Sequence, residues 1–175
     1  MNAPSLVICM GVSGCGKSTL AAALANELGW TLVEADDFHN DENRERMRSG
    51  QPLRDSDREP WMAAIVERLG ELARRHQSCV MAHSALRRAH REALRDVGLS
   101  TQFLFLDCAS EVLVDRLQKR RDHFMPAELL PSQYRALEPP TDEPDIVRLN
   151  AADSLQTLLS VSLATLNHNR KVSHA

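Results

Sequence analysis

The sequence Gly11-Val12-Ser13-Gly14-Cys15-Gly16-Lys17-Ser18, followed by Thr19, decides the fold of this 175-residue chain. It fits the phosphate-binding pattern G-x-x-x-x-G-K-[ST] at every specified position. Glycines allow a tight turn whose backbone N–H groups point inward, so a polyphosphate meets donors with no side chain in the way. We expect Lys17 to reach the β- and γ-phosphates of ATP and Ser18 to offer its hydroxyl to Mg²⁺. Residues 11–19 are therefore the predicted ATP site.

The segments on either side of this loop supply the context that the pattern requires. Leu6-Val7-Ile8-Cys9-Met10 is a short continuous apolar run, typical of a central strand in a parallel sheet. Residues 18–28 are rich in Ala and Leu, and Gly29 ends the helix that they predict. The positive end of that helix would face the phosphates. A glycine-rich turn without a ligand is the alternative, which the complete motif in this context disfavours.

The rest of the chain alternates between short apolar segments and amphipathic ones. Further strands are predicted at residues 31–33, 78–82, 102–106 and 145–149. Helices are predicted at residues 41–48, from a Ser56–Glu59 capping box to about 76, at 87–97, after Ser110, at 132–137 and from about 153. Residues 51–58 are predicted to form an irregular charged loop. The alternation predicts a three-layer α/β/α fold with a five-stranded parallel sheet.

Length and composition limit the classes of protein to which the chain can belong. We expect a single domain over residues 1–175, with a frayed polar end at about 167–175. The formal net charge of -3 argues against general binding to nucleic acids or membrane surfaces. The four cysteines lack metal-ligand spacing, which favours reduced thiols in a cytoplasm. No apolar run reaches the ~18 residues of a membrane span, and no export signal begins the chain.

An acidic cluster follows the second predicted strand, at the end where open α/β sheets bind their ligands. Transfer of a phosphoryl group to an alcohol needs a base that orients the acceptor hydroxyl, a metal ion and nearby cations. Asp36 is the predicted base, because a carboxylate beside the γ-phosphate can accept the hydroxyl proton. A helix-capping or solvated carboxylate is the alternative, and the neighbouring Asp37 is the residue most easily confused with Asp36.

Basic side chains are candidates for two further roles. A cluster predicted to belong to a lid over ATP consists of Arg116, Lys119, Arg120 and Arg121. Arg120 and Arg121 are the predicted catalytic cations, and a solvated helix end is the alternative for the cluster. Guanidinium groups suited to clamp an acceptor carboxylate are offered by Arg54, Arg58 and Arg87. His39 and His83 are candidates to hydrogen-bond the hydroxyl groups of a polyol, although a lone histidine near a strand end is more often structural.

Further stretches form a specific set together with the phosphate loop. They are Asp36-Asp37-Phe38-His39 with Asn43, Met47 with Gly50-Gln51-Pro52-Leu53, Asp55-Ser56-Asp57-Arg58-Glu59-Pro60-Trp61, Ser84-Ala85-Leu86, and His123-Phe124-Met125-Pro126 with Leu129-Leu130, Ser132-Gln133 and Leu137-Glu138-Pro139. With these stretches, from Val7 to about Pro140, the chain resembles the gluconate kinase family. The resemblance implies ATP-dependent phosphorylation of D-gluconate at its terminal hydroxyl to 6-phospho-D-gluconate. It also implies a homodimer, a P-loop kinase fold similar to that of adenylate and shikimate kinases, and a lid at about 118–138.

The resemblance assigns roles by position. It implies that Asp36 is the acceptor-side aspartate and that Lys17 and Ser18 serve the phosphates and Mg²⁺. It adds Ser84 and His123 to the predicted acceptor-binding residues, together with Arg58 and His39. The chain departs from the family pattern at Ala35, usually Gly; Asn40, often Pro; His83, usually Cys; Arg87, commonly Lys; and His90, commonly Tyr. We expect the first two departures to reshape the acceptor pocket and Arg87 to change its hydrogen-bond geometry.

Two other functions stay open from the sequence alone. A kinase of another small acceptor, such as shikimate or a nucleoside monophosphate, would share the phosphate loop. The loop at residues 50–61 resembles the acceptor-binding segment of neither. A non-catalytic ATP-binding switch would keep the phosphate loop and lack an acceptor, and Asp36 with an intact lid argues against it.

Overall fold

The computed structural model describes residues 4–109, 113 and 129–172, and it contains a five-stranded parallel sheet. The strands are β1 (Ser5–Met10), β2 (Thr31–Glu34), β3 (Cys79–Ala82), β4 (Ser100–Asp107) and β5 (Ile146–Asn150). Their order across the sheet is β2-β3-β1-β4-β5, with Val7 opposite Val80 and Ile8 opposite Phe103. The predicted parallel sheet is therefore confirmed.

Helices connect the strands. They are α1 (Lys17–Leu28), α2 (Asp41–Arg48), α3 (Asp55–Arg74), α4 (Arg88–Arg95), α5 (Leu130–Ala136) and α6 (Leu155–Val172). A short 3₁₀ helix, Ala35–Phe38, follows β2 directly. No helix within the described ranges is both long enough and apolar enough to cross a membrane.

The apolar run of β1 is explained by its two covered faces. Successive side chains of a strand point to opposite faces of the sheet. Val7 and Cys9 pack in a core cluster with side chains of α1 and α6, whereas Ile8 and Met10 pack in a second cluster with side chains of α3 and α4. All of these β1 side chains are fully buried. The two clusters give the predicted three layers, with the sheet in the middle.

The strand order places three loops next to one another at the carboxyl ends of the strands. Because β2, β3 and β1 are parallel neighbours, their carboxyl ends lie side by side. The loop after β1 is the phosphate loop, the loop after β2 carries Asp36, and the loop after β3 carries Ser84. Ladder-like hydrogen bonds continue past the strand ends, from His83 N–H to Cys9 O (3.1 Å) and from Gly11 N–H to Ser84 O (3.2 Å). The fold thus places these loops beside one another.

The predicted start of α3 is wrong. The helix begins at Asp55, so residues 55–58 form its first turn rather than an irregular loop. Asp57 Oδ2 accepts the Arg54 N–H at 2.9 Å. This hydrogen bond caps the N-terminus of α3, in place of the predicted Ser56–Glu59 capping box. Ser56 lies inside the first turn. A carboxylate two residues earlier than expected is therefore the capping group.

The two carboxyl-terminal segments differ from expectation in different ways. Helix α6 continues to Val172, so residues 167–172 are helical where the sequence predicted a frayed end. Most of the predicted lid lies outside the described residues, which resume at Leu129 before α5. Leu113, in the segment predicted as a helix after Ser110, is fully buried in the core cluster that contains α1.

Candidate active site

Three glycines of the phosphate loop, Gly11, Gly14 and Gly16, have a positive φ that favours glycine. Gly11 has φ 142, and a Cβ there would lie 2.8 Å from both Leu106 O and Cys15 Sγ. Gly16 has φ 102 at the N-cap of α1, where no side chain among the described residues caps the helix. The first N–H groups of α1 are thus left for an anion, which a helix N-terminus attracts. This geometry supports the predicted phosphate site.

Polar contacts hold the side chains of this loop. Lys17 Nζ donates to Val12 O at 3.0 Å, and Ser18 Oγ donates to Glu34 Oε2 at 3.0 Å. Gln133 of α5 accepts the Ser13 N–H through Oε1 at 2.6 Å. The carboxyl-terminal part of the predicted lid, which includes Gln133, therefore contacts the phosphate loop directly.

A single cavity joins this loop to the predicted acceptor residues. On the loop side it is lined by Ser13, Gly14, Gly16, Lys17 and Ser18. The residues on the other side come from the end of β2, from the loops after β2 and β3, and from α3 and α4. They include Glu34, Asp36, His39, Arg58, Trp61, His83, Ser84, Arg87 and His90. Ten of the predicted site residues thus share one cavity: Ser13, Gly14, Gly16, Lys17, Ser18, Asp36, His39, Arg58, Ser84 and Arg87.

Asp36 and Asp37 have different surroundings. Asp36 borders the cavity and is half-buried, whereas Asp37 is exposed and is not among the cavity-lining residues. The 3₁₀ helix that carries both is fixed from α3, because Trp61 Nε1 donates to Ala35 O at 2.7 Å. Asp36 therefore borders the same cavity as the phosphate loop, whereas Asp37 does not.

Two arginines share one carboxylate on the acceptor side. Asp55 Oδ1 lies 3.1 Å from Arg58 Nη1 and 3.1 Å from Arg87 Nη2. Burial lowers the pKa of the Arg58 guanidinium below its usual value, although Asp55 opposes this shift. Asp55 itself is exposed over 68% of its side chain, so the pair of cations is held without a buried counter-charge. Two guanidinium groups at one end of a cavity suit a carboxylate ligand.

Histidines and a tryptophan form a stack in the wall of the cavity. The His39 ring stacks on Trp61 at 4.5 Å between centroids, and Trp61 stacks on His83 at 4.7 Å. His90 meets both Trp61 and His83 edge-on. Burial lowers the pKa of His39 and His90, and it lowers that of His83 to about 3. These rings are therefore neutral at physiological pH.

A buried ion pair supports the loop after β3. Arg91 is 1% exposed, and its guanidinium donates to Glu143 Oε1 at 2.6 Å and to the carbonyl oxygens of Ala85 and Leu86. Hydrogen bonds from Arg91 hold the pKa of the Glu143 carboxyl at about 2. Ala85 has φ 46, a conformation that costs energy for a residue with a side chain. The Arg91 contacts hold this strained turn beside Ser84.

The remaining predicted residues do not line the cavity. Gly11, Val12 and Cys15 belong to the phosphate loop but are buried. Thr19 is exposed on the first turn of α1. Arg54 is exposed over 71% of its side chain, where it pairs with Asp57. Arg116, Lys119, Arg120, Arg121 and His123 lie outside the described residues.

Two departures from the family pattern lie elsewhere than expected. Ala35 is 1% exposed and contributes its carbonyl to Trp61, and Asn40 is an exposed N-cap whose Oδ1 accepts the Asn43 N–H at 2.8 Å. Neither is among the cavity-lining residues, so an effect on the pocket would have to act through the neighbouring Asp36 and His39, and the expectation stays a prediction. The departures that border the cavity are His83, Arg87 and His90.

Sequence reasoning assigned no site role to several cavity residues, among them Glu34, Trp61, His90 and Gln133. Glu34 ends β2 where the acidic cluster begins, so its position was a usable signal. Trp61 was noted within a stretch of the family resemblance, and its stacking partners come from other elements. Apart from the family pattern, nothing in the sequence marks His90 or Gln133 as a site residue, because the residues that they contact are distant in sequence.

The oxygen atoms beside the phosphate loop suit Mg²⁺. Ser18 Oγ and Glu34 Oε2 are neighbours, and Asp36 borders the same cavity. Burial raises the pKa of the Glu34 carboxyl, against the opposing effect of the Ser18 hydrogen bond. The part of the chain that the structure describes has no group of three or more metal-binding side chains. Mg²⁺ in phosphoryl-transfer sites needs only one or two protein oxygens beside phosphate and water, so these residues fit it.

Comparison with known proteins agrees with this geometry. The AAA domain family AAA_33 matches residues 6–140. The gluconokinase of Gluconobacter oxydans (strain 621H) is 45% identical over 147 residues, covering 84% of this chain and 83% of that protein. The thermosensitive gluconokinase of Escherichia coli (strain K12) is 38% identical over 144 residues, covering 82% and 77% of the two chains. A gluconokinase crystal structure from Sinorhizobium meliloti 1021 has a TM-score of 0.86 at 36% identity, with 100% of both chains covered. The chain is a nucleotide-binding P-loop kinase and belongs to the gluconokinase family.

Proposed function

We propose that this protein transfers the γ-phosphoryl group of ATP to the terminal hydroxyl of D-gluconate and gives 6-phospho-D-gluconate. One observation carries the proposal: a single cavity extends from the phosphate loop past Asp36 to Arg58 and Arg87. An acyclic sugar acid has a carboxylate at one end and a primary hydroxyl at the other. The cavity offers cations for the first and a carboxylate for the second. The gluconokinase relatives support the same acceptor.

The acceptor end of the site binds and orients the sugar acid. Arg58 and Arg87 would hold its carboxylate, since guanidinium groups bind carboxylates in a planar, bidentate way. His39 and Ser84 border the same part of the cavity and would contact hydroxyl groups. Anchoring one end of the acceptor fixes the distance at which its other end meets the phosphate loop.

At the other end, Asp36 would act as the base. It accepts the proton of the terminal hydroxyl while the hydroxyl oxygen forms a bond to the γ-phosphorus and the bond from phosphorus to the β,γ-bridging oxygen breaks. ADP leaves with the electron pair of that bond. Lys17 and the N–H groups at the start of α1 would stabilise the negative charge on the phosphates. Arg120, Arg121 and His123 are proposed to close over the same groups from the lid.

Mg²⁺ is the proposed metal ion, and Ser18 is its proposed ligand, with Glu34 beside it. When bound to ATP, this ion neutralises charge on the β- and γ-phosphates. The raised pKa of Glu34 reflects a carboxylate that is partly buried, and a nearby cation would favour its charged form.

We also propose a cytoplasmic homodimer. Cys9 and Cys79 are free thiols buried in the protein, which suits a reducing compartment. Burial raises the pKa of the Cys79 thiol to about 12, so it stays protonated. The homodimer rests on the resemblance to the gluconate kinase family.

The acceptor is tested by initial rates with D-gluconate, sorbitol, glucose, shikimate and AMP at fixed Mg²⁺-ATP. We expect D-gluconate to react best, because neutral polyols leave the Arg58–Arg87 end without its anion. Such an unpaired charged group costs roughly 1 to 3 kcal/mol or more. A preference for any of the other four compounds would overturn the proposal. ATP binding without phosphorylation of any acceptor would instead favour the non-catalytic ATP-binding switch.

A further inference from the structure

Unpaired polar atoms cluster in the wall of the cavity. Among the described residues, buried side-chain nitrogen and oxygen atoms without a hydrogen-bond partner are His39 Nδ1, His83 Nε2 and Arg87 Nε. All three residues border the cavity. Buried polar groups are nearly always paired in folded proteins, so each exception needs an explanation. A polar ligand that completes their hydrogen bonds in the cavity is the explanation common to all three.

The proton of His83 has a fixed position. Its Nδ1 accepts the Ala85 N–H at 2.8 Å, so this nitrogen carries no proton. Burial lowers the pKa of His83 to about 3, and the ring is therefore neutral. A neutral imidazole has one N–H group, which must then be on Nε2. His83 is 1% exposed, and its unpaired Nε2–H is a donor of known direction.

We propose that His83 donates a hydrogen bond from Nε2–H to one hydroxyl group on the carbon chain of the sugar acid and so helps to select the acceptor. The inference rests on the proposed function and adds a specificity-determining residue to it. Trp61 covers one face of the His83 ring at 4.7 Å, and His90 stands edge-on at 6.4 Å between centroids. Because His83 borders the same cavity as Asp36 and Ser84, a hydroxyl group of an acceptor bound there can approach Nε2.

The stack explains why the donor is rigid. Trp61 is fixed by its hydrogen bond to Ala35 O, and His83 is fixed by Ala85, so neither ring can rotate freely. A rigid donor discriminates well, because an acceptor without the matching hydroxyl leaves it unpaired in a buried place.

The test pairs substitutions with acceptor analogues. In His83→Asn, the amide oxygen can still accept the Ala85 N–H but no donor reaches the Nε2 position, whereas His83→Gln places an amide N–H near it. His83→Cys removes the donor in a second way, with the residue that is usual at this position. His76→Asn is the matched control, because His76 is exposed and not among the cavity-lining residues. Rates are measured with D-gluconate and its 2-, 3-, 4- and 5-deoxy analogues, and folding is checked by circular dichroism.

We expect His83→Asn and His83→Cys to lower kcat/KM for D-gluconate by about tenfold to a hundredfold, mainly through KM, with His83→Gln losing less. For the one analogue that lacks the partner hydroxyl, wild type and the donor-less variants should differ by less than about threefold, since the hydrogen bond is already absent. His76→Asn should match wild type with every acceptor.

Two results would overturn the inference. One is an equal loss in the donor-less variants with D-gluconate and with all four analogues, which indicates a merely structural role. The other is no loss with D-gluconate in either donor-less variant. Failure of the wild-type protein to phosphorylate D-gluconate would overturn the proposed function, and this inference with it.

Discussion

Asp36 and Asp37 are adjacent residues with the same charge, and only one of them borders the cavity. We predict that Asp36→Asn lowers kcat by about two to four orders of magnitude, the contribution of a positioned base. Binding of ATP should change much less. Asp37→Asn is the matched control and should have a small effect, because Asp37 is exposed. Steady-state kinetics with D-gluconate and a separate ATP titration measure both quantities, and the reverse ranking would move the base to Asp37.

Arg54 and Arg58 offer a second matched comparison between nearby guanidinium groups. Arg58 borders the cavity and shares Asp55 with Arg87, whereas Arg54 is exposed over 71% of its side chain. Arg58→Ala should raise KM for D-gluconate and lower kcat/KM by roughly tenfold to a hundredfold, since a charge-assisted hydrogen bond is lost. Arg54→Ala should change kcat/KM by less than about threefold. Equal losses in the two variants would contradict the assignment of Arg58 as the carboxylate anchor.

Helix α4 carries three arginines, of which Arg91 and Arg95 pair with residues distant in sequence and Arg88 does not. Arg91 joins Glu143 and the turn at Ala85, whereas Arg88 pairs with Glu92 on the exposed face of the same helix. Arg91→Met should lower the free energy of unfolding by about 3 kcal/mol, the low end for a broken buried pair, because Arg95 stays on Glu143. Arg88→Met should cost less than about 0.5 kcal/mol.

Urea denaturation followed by circular dichroism measures both α4 variants. A second comparison uses Arg91→Met combined with Glu143→Met, which removes both charges from the interior. That double variant should be more stable than Arg91→Met alone, because no buried carboxylate is left with a weakened pair. Similar losses for Arg88→Met and Arg91→Met would show that the buried pair adds nothing beyond a surface one.

The sequence predicts elements better than it predicts contacts between them. The phosphate loop is a local pattern, and β1 and α1 on either side follow from apolar runs and a helix-ending glycine, so all three are confirmed. The start of α3 was missed, because Asp57 competes with Glu59 as a capping group and geometry decides between them. The stack of His39, Trp61 and His83 joins three elements, and nothing local in any of the three reveals it.

At the scale of the whole molecule, the site is a consequence of sheet order. The phosphate loop, Asp36 and Ser84 are far apart along the chain and meet because β1, β2 and β3 are parallel neighbours. Sequence could predict a parallel sheet and therefore polar residues at one edge. It could not predict that His39, His83 and His90 contact Trp61 in the wall of the cavity, because these contacts depend on how α3 and α4 pack over the loops. The burial of these histidines gives the molecule a pH-dependent stability.

Burial lowers the pKa of His39 and His90 and brings that of His83 to about 3. An unfolded histidine has a pKa near 6.5, so below that pH the unfolded chain binds protons that the folded chain does not. Above about pH 7 these histidines are uncharged in both states, so they do not change the free energy of unfolding. Below about pH 6.5 the free energy of unfolding falls as the pH drops. The lowered pKa of Glu143, about 2, contributes only below about pH 4.5. Burial raises the pKa of Glu34, which adds a slope of opposite sign above about pH 4.5, so the contribution of one histidine is obtained from the difference in slope between wild type and a variant of that histidine.

We predict that His83→Gln flattens this dependence. Each histidine that is neutral when folded and protonated when unfolded contributes a slope of up to about 1.4 kcal/mol per pH unit. Between pH 5 and 6 the slope of the variant should therefore be lower than that of wild type by roughly 1 kcal/mol per pH unit. Urea denaturation at half-unit pH steps measures the slopes. His76→Asn, at an exposed histidine, should keep the wild-type slope. An unchanged slope in His83→Gln would mean that His83 takes up its proton in the folded state, which the Ala85 N–H at Nδ1 should prevent.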